Sequence, residues 1–86
     1  MIVHFHPRFD KQAAKLPKSV RRQLRERLRL FRTHPTDARL NRHRLKGKYL
    51  GCLSINVTGD VRAVYQILNR EEVRFTHVGS HSQLYR

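Results

Sequence analysis

YLGCLSINVTGDVRAVYQILNREEVRFTHV, residues 49–78, is the stretch that decides the fold. Apolar side chains recur at every second position in three runs, 49–57, 61–68 and 73–78, the period of a β-strand. In the first run Leu53, Ile55 and Val57 share one face, and Cys52, Ser54 and Asn56 share the other. In the second, Val61, Ala63, Tyr65 and Ile67 stand opposite Arg62, Val64 and Gln66. Thr58-Gly59-Asp60 is a turn signal, and Asn69-Arg70-Glu71-Glu72 is a second tight connection. Strands joined by loops this short pair antiparallel, so the stretch predicts a three-stranded meander.

Upstream the period changes. Residues 2–6, IVHFH, read as a short strand, and Pro7 with Asp10 suits a helix start. Phe9, Ala13 and Leu16 follow at i, i+4 and i+7, so a first helix is predicted to about Leu16. Pro17 can open a second, since its missing N–H is unneeded there. Val20, Leu24, Leu28 and Phe31 form its apolar stripe, and it should end before Pro35. The opposite face carries Arg21, Arg22, Arg25, Arg29 and Arg32. That face is either solvated, phosphate-facing or covered by an acidic partner. The predicted fold class is α+β: strand, two-helix hairpin, then antiparallel meander, with the helices on one face of the sheet.

The chain has 86 residues, read as one small domain, with 19 Lys+Arg against 6 Asp+Glu and a formal net charge of +13. Such a charge attracts polyanions. Nucleic acid is the first candidate partner, an acidic protein the second and an anionic membrane surface the third. The lone Cys52 excludes an intramolecular disulfide and fits a reducing, cytoplasmic setting. The first residues do not read as a signal peptide, and no run approaches the ~18 apolar residues of a membrane span.

Two helices cover only one face of such a sheet, and Arg62 projects to the other. His43 precedes Leu45-Lys46-Gly47 at the entrance to the meander, and His77 and His81 lie at its exit. Cleaving RNA through its own 2′-hydroxyl needs a base for that proton and an acid for the leaving 5′-oxygen. It also needs positive charge beside the phosphorane-like transition state. Histidine serves either proton role and arginine or lysine the charge role, so the chemistry requires no metal or other cofactor. The structural alternative is that a lone histidine is a hydrogen-bonded framework residue, the reading given to His4, His6 and His34, and that Arg62 binds a carboxylate. His4-x-His6 points both rings to one face, but no cysteine or carboxylate lies nearby in sequence to complete a metal site.

His43-Arg44-Leu45-Lys46-Gly47, then Gly51, GDVRAVYQI at 59–67 and VGSHSQLYR at 78–86 resemble the RelE/ParE superfamily of toxins from bacterial toxin–antitoxin modules, most closely its YafQ-like branch. The resemblance is specific over residues 43–86. Its fold agrees with the layout read above. It implies a ribosome-dependent mRNA endoribonuclease that works without metal and inhibits translation, held in check by an acidic cognate antitoxin. The partners implied are mRNA in the ribosomal A site and ribosomal RNA.

By the same resemblance His43, Asp60, Arg62, His81 and Tyr85 are the catalytic set. Arg62 would hold phosphate, His81 transfer a proton, and Tyr85 stack on a nucleotide. Gly79-Ser80 would bend the chain to bring the last two over the open face. Lys46, Lys48, His77 and Arg86 would touch RNA, and Arg22, Arg25 and Arg29 would face ribosomal RNA. Asn56 departs from the pattern, standing where relatives carry a histidine, and Cys52-Leu53 replaces an aromatic–arginine pair. His43 and His81 are then the proton-transfer pair. Two alternatives keep the same charge: a ParE-like DNA gyrase inhibitor, and a non-catalytic basic nucleic-acid-binding protein.

Overall fold

The computed structural model describes residues 1–86. Its elements are β1 (Ile2–Phe5), α1 (Pro7–Ala14), α2 (Lys18–Thr33), β2 (His43–Arg44), β3 (Leu53–Asn56), β4 (Val61–Ile67), β5 (Glu72–Ser80) and α3 (His81–Leu84). Short 3₁₀ turns at Ala38–Leu40 and Gly47–Tyr49 flank β2. The five strands lie in the order β1-β5-β4-β3-β2, with β1 parallel to β5 and every other pair antiparallel.

The meander is as expected, and its turns show why. Thr58 Oγ1 accepts from the N–H groups of Asp60 and Val61 between β3 and β4. Asn69 Oδ1 accepts from the Glu71 N–H between β4 and β5. Side-chain oxygens thus replace ladder partners at both reversals. The strand expected over 49–57 is shorter, because Gly47 (φ 65°) and Gly51 (φ 91°) hold left-handed conformations that a strand cannot pass through. The residues freed fold as a 3₁₀ turn, and the two-residue β2 adds an edge strand that carries no periodic signal.

β5 departs most from simple alternation. Val64 pairs with His77 but Tyr65 pairs with Phe75, so Thr76 is an extra residue in the ladder. Strict alternation would place His77 beside Val73 and Phe75. The bulge turns Val78 into the core and His77 to the opposite face.

The main core lies between the sheet and helices α1 and α2. Phe9, Leu24 and Phe31 pack onto Ile55, Val57, Ala63, Tyr65 and Phe75. Phe31 meets Tyr65 and Phe75 edge-on, at ring distances of 4.9 and 5.3 Å, pairings worth about 0.5–1.5 kcal/mol each beyond burial. α1 also closes an edge. β1 pairs β5 only to Phe75, and beyond it Gln12 Oε1 accepts from Val78 N–H while Arg8 Nε donates to the Thr76 carbonyl. The backbone groups of a strand edge are thereby satisfied without another strand.

The other face carries a smaller cluster, Tyr49, Val64 and Leu84, with Leu45 and Cys52 against it. The chain end that forms it is not a bend at Gly79-Ser80, as expected, but a strand followed by a helix. Gly79 and Ser80 pair with Arg62 and Val61, and Ser80 then caps α3. The Ser80 hydroxyl accepts from Gln83 N–H, and Gln83 Oε1 accepts from Ser80 N–H, a reciprocal capping box. A Cβ at Gly79 would stand 3.0 Å from Gln83 Oε1, so glycine leaves room for that fold-back. No helix is long and apolar enough to cross a membrane.

Candidate active site

The exposed face of the sheet holds a cleft of about 100 Å³ lined by His43, Leu45, Ser54, Arg62, Val64, His81, Leu84 and Tyr85. Four separate elements deliver its polar groups: His43 comes from β2, Ser54 from β3, Arg62 from β4, and His81 and Tyr85 from α3 and its end. Val64 and Leu84 form an apolar floor.

His43 is held at both nitrogens. Its Nδ1 lies 2.9 Å from the Asn41 carbonyl. A carbonyl only accepts, so Nδ1 carries the proton and donates, and in the neutral ring Nε2 bears the lone pair. Nε2 lies 3.4 Å from Ser54 Oγ, a long contact in which the hydroxyl donates. Asn41 supplies its carbonyl from a left-handed conformation (φ 45°), which asparagine tolerates better than most residues. Ser54 is buried, 1% exposed, so its hydroxyl has little water to turn to.

Arg62 has no carboxylate partner. Its Nη1 donates to the carbonyls of Thr58 and Gly59, at 3.1 and 3.0 Å. This pins the guanidinium over the β3–β4 turn and leaves other N–H groups for a ligand. The ion pairs of the chain lie elsewhere, between Arg39 and Asp37 and between His4 and Glu72. His81 and Tyr85 are exposed and share an i, i+4 face, their rings 4.8 Å apart. Tyr85 rests edge-on against Tyr49 at 5.3 Å.

Tyr49 supports this end of the site. It is buried, its hydroxyl donates to the Leu84 carbonyl at 2.8 Å, and burial pushes its phenol pKa up, so the proton stays on. Tyr49→Phe should leave that carbonyl without a partner and lower stability by about 1–2 kcal/mol. Each kcal/mol corresponds to about 4–8 °C in Tm at this size. Thermal unfolding of the two proteins reads the difference directly.

The other expected residues fall outside the cleft. The Asp60 carboxylate is exposed on the β3–β4 turn, and only its backbone carbonyl reaches the site region, accepting from His81 N–H at 3.2 Å. Lys46 and Lys48 are exposed beside the Gly47–Tyr49 turn, with Lys48 Nζ 5.3 Å from the Tyr49 ring centre. Arg86 is exposed beyond α3. Arg22, Arg25 and Arg29 line the outward side of α2, across the sheet from the cleft, and none forms an ion pair. Asn56 pairs with Arg62 in the ladder, and its Oδ1 is buried without a partner. His4 bonds Glu72, and the His6 Nδ1 accepts from Arg8 N–H at the start of α1.

His77 is half-buried, its ring edge-on to Tyr49 at 5.0 Å and its Nδ1 2.9 Å from Thr76 Oγ1. Burial, then the charges of Arg8 and Lys48, push its pKa below the usual 6.5. The unfolded chain therefore binds a proton before the folded one does. The contribution is complete above about pH 6.5 and is lost as the pH falls through the lower folded pKa. His77→Gln should lose less stability than wild type on acidification across that window, measured as Tm against pH.

Sequence reasoning misses Tyr49 and Ser54 as site residues. Alternation puts Ser54 on the correct face, but nothing local marks it as the partner of His43. Tyr49 reads as the first residue of a strand, although the two flanking glycines signal a turn.

A family model described as bacterial toxin of type II toxin–antitoxin system, YafQ, matches residues 2–86. A comparison with curated protein sequences finds no match. Among solved structures, YafQ from E. coli superposes with a TM-score of 0.82 at 19% identity, covering 98% of this chain and 97% of that one. YafQ in the E. coli DinJ–YafQ toxin–antitoxin complex gives 0.80 at 22%, covering 98% and 96%. A copper-bound mutant toxin from Helicobacter pylori gives 0.71 at 27%, covering 98% of each chain. The structural matches carry the fold and the family model carries the membership: this chain belongs to the YafQ family of bacterial type II toxin–antitoxin toxins.

Proposed function

We propose that the protein arrests translation as an endoribonuclease that cuts mRNA in the ribosomal A site, using the cleft of His43, Arg62, His81 and Tyr85. The observation that carries this reading is the convergence of two histidines and an unpaired arginine on one cleft from three distant elements. His43 Nε2 takes the proton of the 2′-hydroxyl, and the resulting imidazolium is stabilised by its Nδ1–H bond to Asn41. The 2′-oxygen attacks phosphorus, and the bond to the 5′-oxygen breaks as His81 protonates it. The products are a 2′,3′-cyclic phosphate and a 5′-hydroxyl. Arg62 neutralises the charge that grows on the non-bridging oxygens. Tyr85 offers its half-exposed ring (41%) to a base. These groups cover the proton and charge roles of the reaction among themselves, so it proceeds without a metal.

The partners proposed are mRNA on the ribosome, ribosomal RNA at the outward arginines of α2, and an acidic cognate antitoxin. E. coli YafQ is seen in a toxin–antitoxin complex with DinJ, and a chain of charge +13 favours an acidic inhibitor. The proposed setting is the cytoplasm. The test is mRNA cleavage on programmed ribosomes, mapped by primer extension, with His81→Ala alongside. Cuts within A-site codons that vanish in the variant are expected. A folded wild-type protein that makes no cuts would overturn the reading and turn attention to gyrase.

A further inference from the structure

A second groove, of about 320 Å³, runs between α1 and α3 and is lined in part by Gln12, Lys15, Tyr49, Gln83, Leu84 and Arg86. The chemistry of its rim is set by bonds made elsewhere. Gln12 Oε1 accepts from Val78 N–H at 2.9 Å, and Gln83 Oε1 accepts from Ser80 N–H at 2.8 Å. A backbone N–H only donates, so both amide orientations are fixed. The carbonyl end of each glutamine is occupied, and each NH₂ end is left without a partner in the protein. Lys15 and Arg86 add two cations that form no ion pair, and no acidic side chain lines the groove. Apart from the phenol, the polar side chains around it therefore present hydrogen-bond donors, above an apolar lining of Leu16, Val78 and Leu84.

We infer that this groove is a second phosphate-binding subsite, which holds the RNA backbone away from the bond that is cut. The inference rests on the ribonuclease reading for the identity of its ligand. Position favours RNA over an acidic peptide. Leu84 lines both the groove and the catalytic cleft, so the two cavities flank α3 and one strand can pass from one to the other. A helix is about 10 Å across and a stacked strand rises about 3.4 Å per nucleotide, so the phosphate held here lies about three nucleotides from the scissile one. Contacts of this kind position the strand and read no bases.

The test uses two changes that spare the fold. Gln12→Glu and Gln83→Glu each keep a carbonyl-type oxygen for the backbone N–H, and glutamate serves a capping box as well as glutamine. Each replaces the free NH₂ by an anionic oxygen. Binding of 2′-O-methyl oligoribonucleotides, which have no free 2′-hydroxyl and are not cut, is measured by fluorescence anisotropy on the full chain. The double variant should bind an eight-nucleotide oligomer about tenfold or more weakly, since like charges then face each other. A trimer, which fills only the cleft, should bind as to wild type. The slope of log K against log salt should fall by about 0.7 for each phosphate that is no longer neutralised. Lys11→Gln with Lys18→Gln makes the same change in net charge elsewhere and should have little effect.

An eight-mer bound no better than the trimer, or weakened equally by both double variants, would overturn the proposal. So would wild-type affinity in the Gln12→Glu/Gln83→Glu protein. If inorganic phosphate moves the two glutamine NH₂ signals in NMR and the oligomer does not, the groove is a small-anion site and the proposal fails. If the variant loses affinity for a polyglutamate peptide alone, the groove is a protein-docking surface and it fails equally. Cleavage is not read in these measurements. A-site cuts with unchanged oligomer binding would leave the ribonuclease reading intact and remove only the subsite.

Discussion

Single-turnover cleavage of ribosome-bound mRNA should slow by about 10²–10⁴-fold on His43→Gln, and by a similar factor on His81→Ala, the scale of losing one general base or acid. Glutamine at 43 keeps a polar side chain on β2 but cannot accept the 2′-hydroxyl proton. The base role proposed for His43 rests on its tautomer: Nδ1–H is committed to the Asn41 carbonyl, which leaves Nε2 as the nitrogen with a lone pair. The Ser54 hydroxyl that meets Nε2 does so at 3.4 Å, long enough for substrate to displace it at small cost. His81 is exposed at the start of α3, so its replacement should leave Tm nearly unchanged. A folded variant that cuts at the wild-type rate would remove that histidine from the chemistry.

Arg62→Ala should cost about 10²–10³-fold in the same single-turnover rate, as for losing one preorganised donor to a developing oxyanion. The guanidinium is preorganised: Nη1 is fixed to the Thr58 and Gly59 carbonyls, and no carboxylate neutralises the charge. Arg62→Lys should recover only part of the rate. A lysine ammonium is a point charge that cannot satisfy the turn carbonyls and hold phosphate at a fixed planar geometry at once. Because the same bonds brace the β3–β4 turn, thermal unfolding must accompany the kinetics. A rate unchanged in a folded Arg62→Ala protein would show that the charge is supplied from elsewhere.

Much of the architecture is legible because burial on one side imposes a period on the sequence. Leu53, Ile55, Val57, Ala63 and Tyr65 have to face one way for the sheet to have a core, and they do. Leu24 and Phe31 set the buried side of α2 in the same way, and so its arginine side. The capping box of α3 is also written in the chain, as Ser80-x-x-Gln83, although the shortness of the helix hides it. Two features leave no local trace. The bulge at Thr76 reverses alternation without a glycine to mark it, and β2 is too short to show any period.

Read alone, the chain establishes the kinds of group available: imidazoles at both ends of the meander, an arginine on its central strand and a large positive charge. It also establishes the two faces of the sheet, since one-sided burial leaves few alternatives. Which of those groups meet is settled by the folded arrangement. Pairing of β2 with β3 and of β4 with β5 brings His43, Arg62 and His81 onto one cleft, while the Asp60 carboxylate and the α2 arginines point elsewhere. The tautomer of His43 is likewise beyond the sequence, because it depends on a carbonyl oriented by the left-handed turn at Asn41. One cause is common to all of these. Periodicity records the average environment of a side chain, whereas catalysis depends on distances between residues that the strand ladders, not local sequence, bring together.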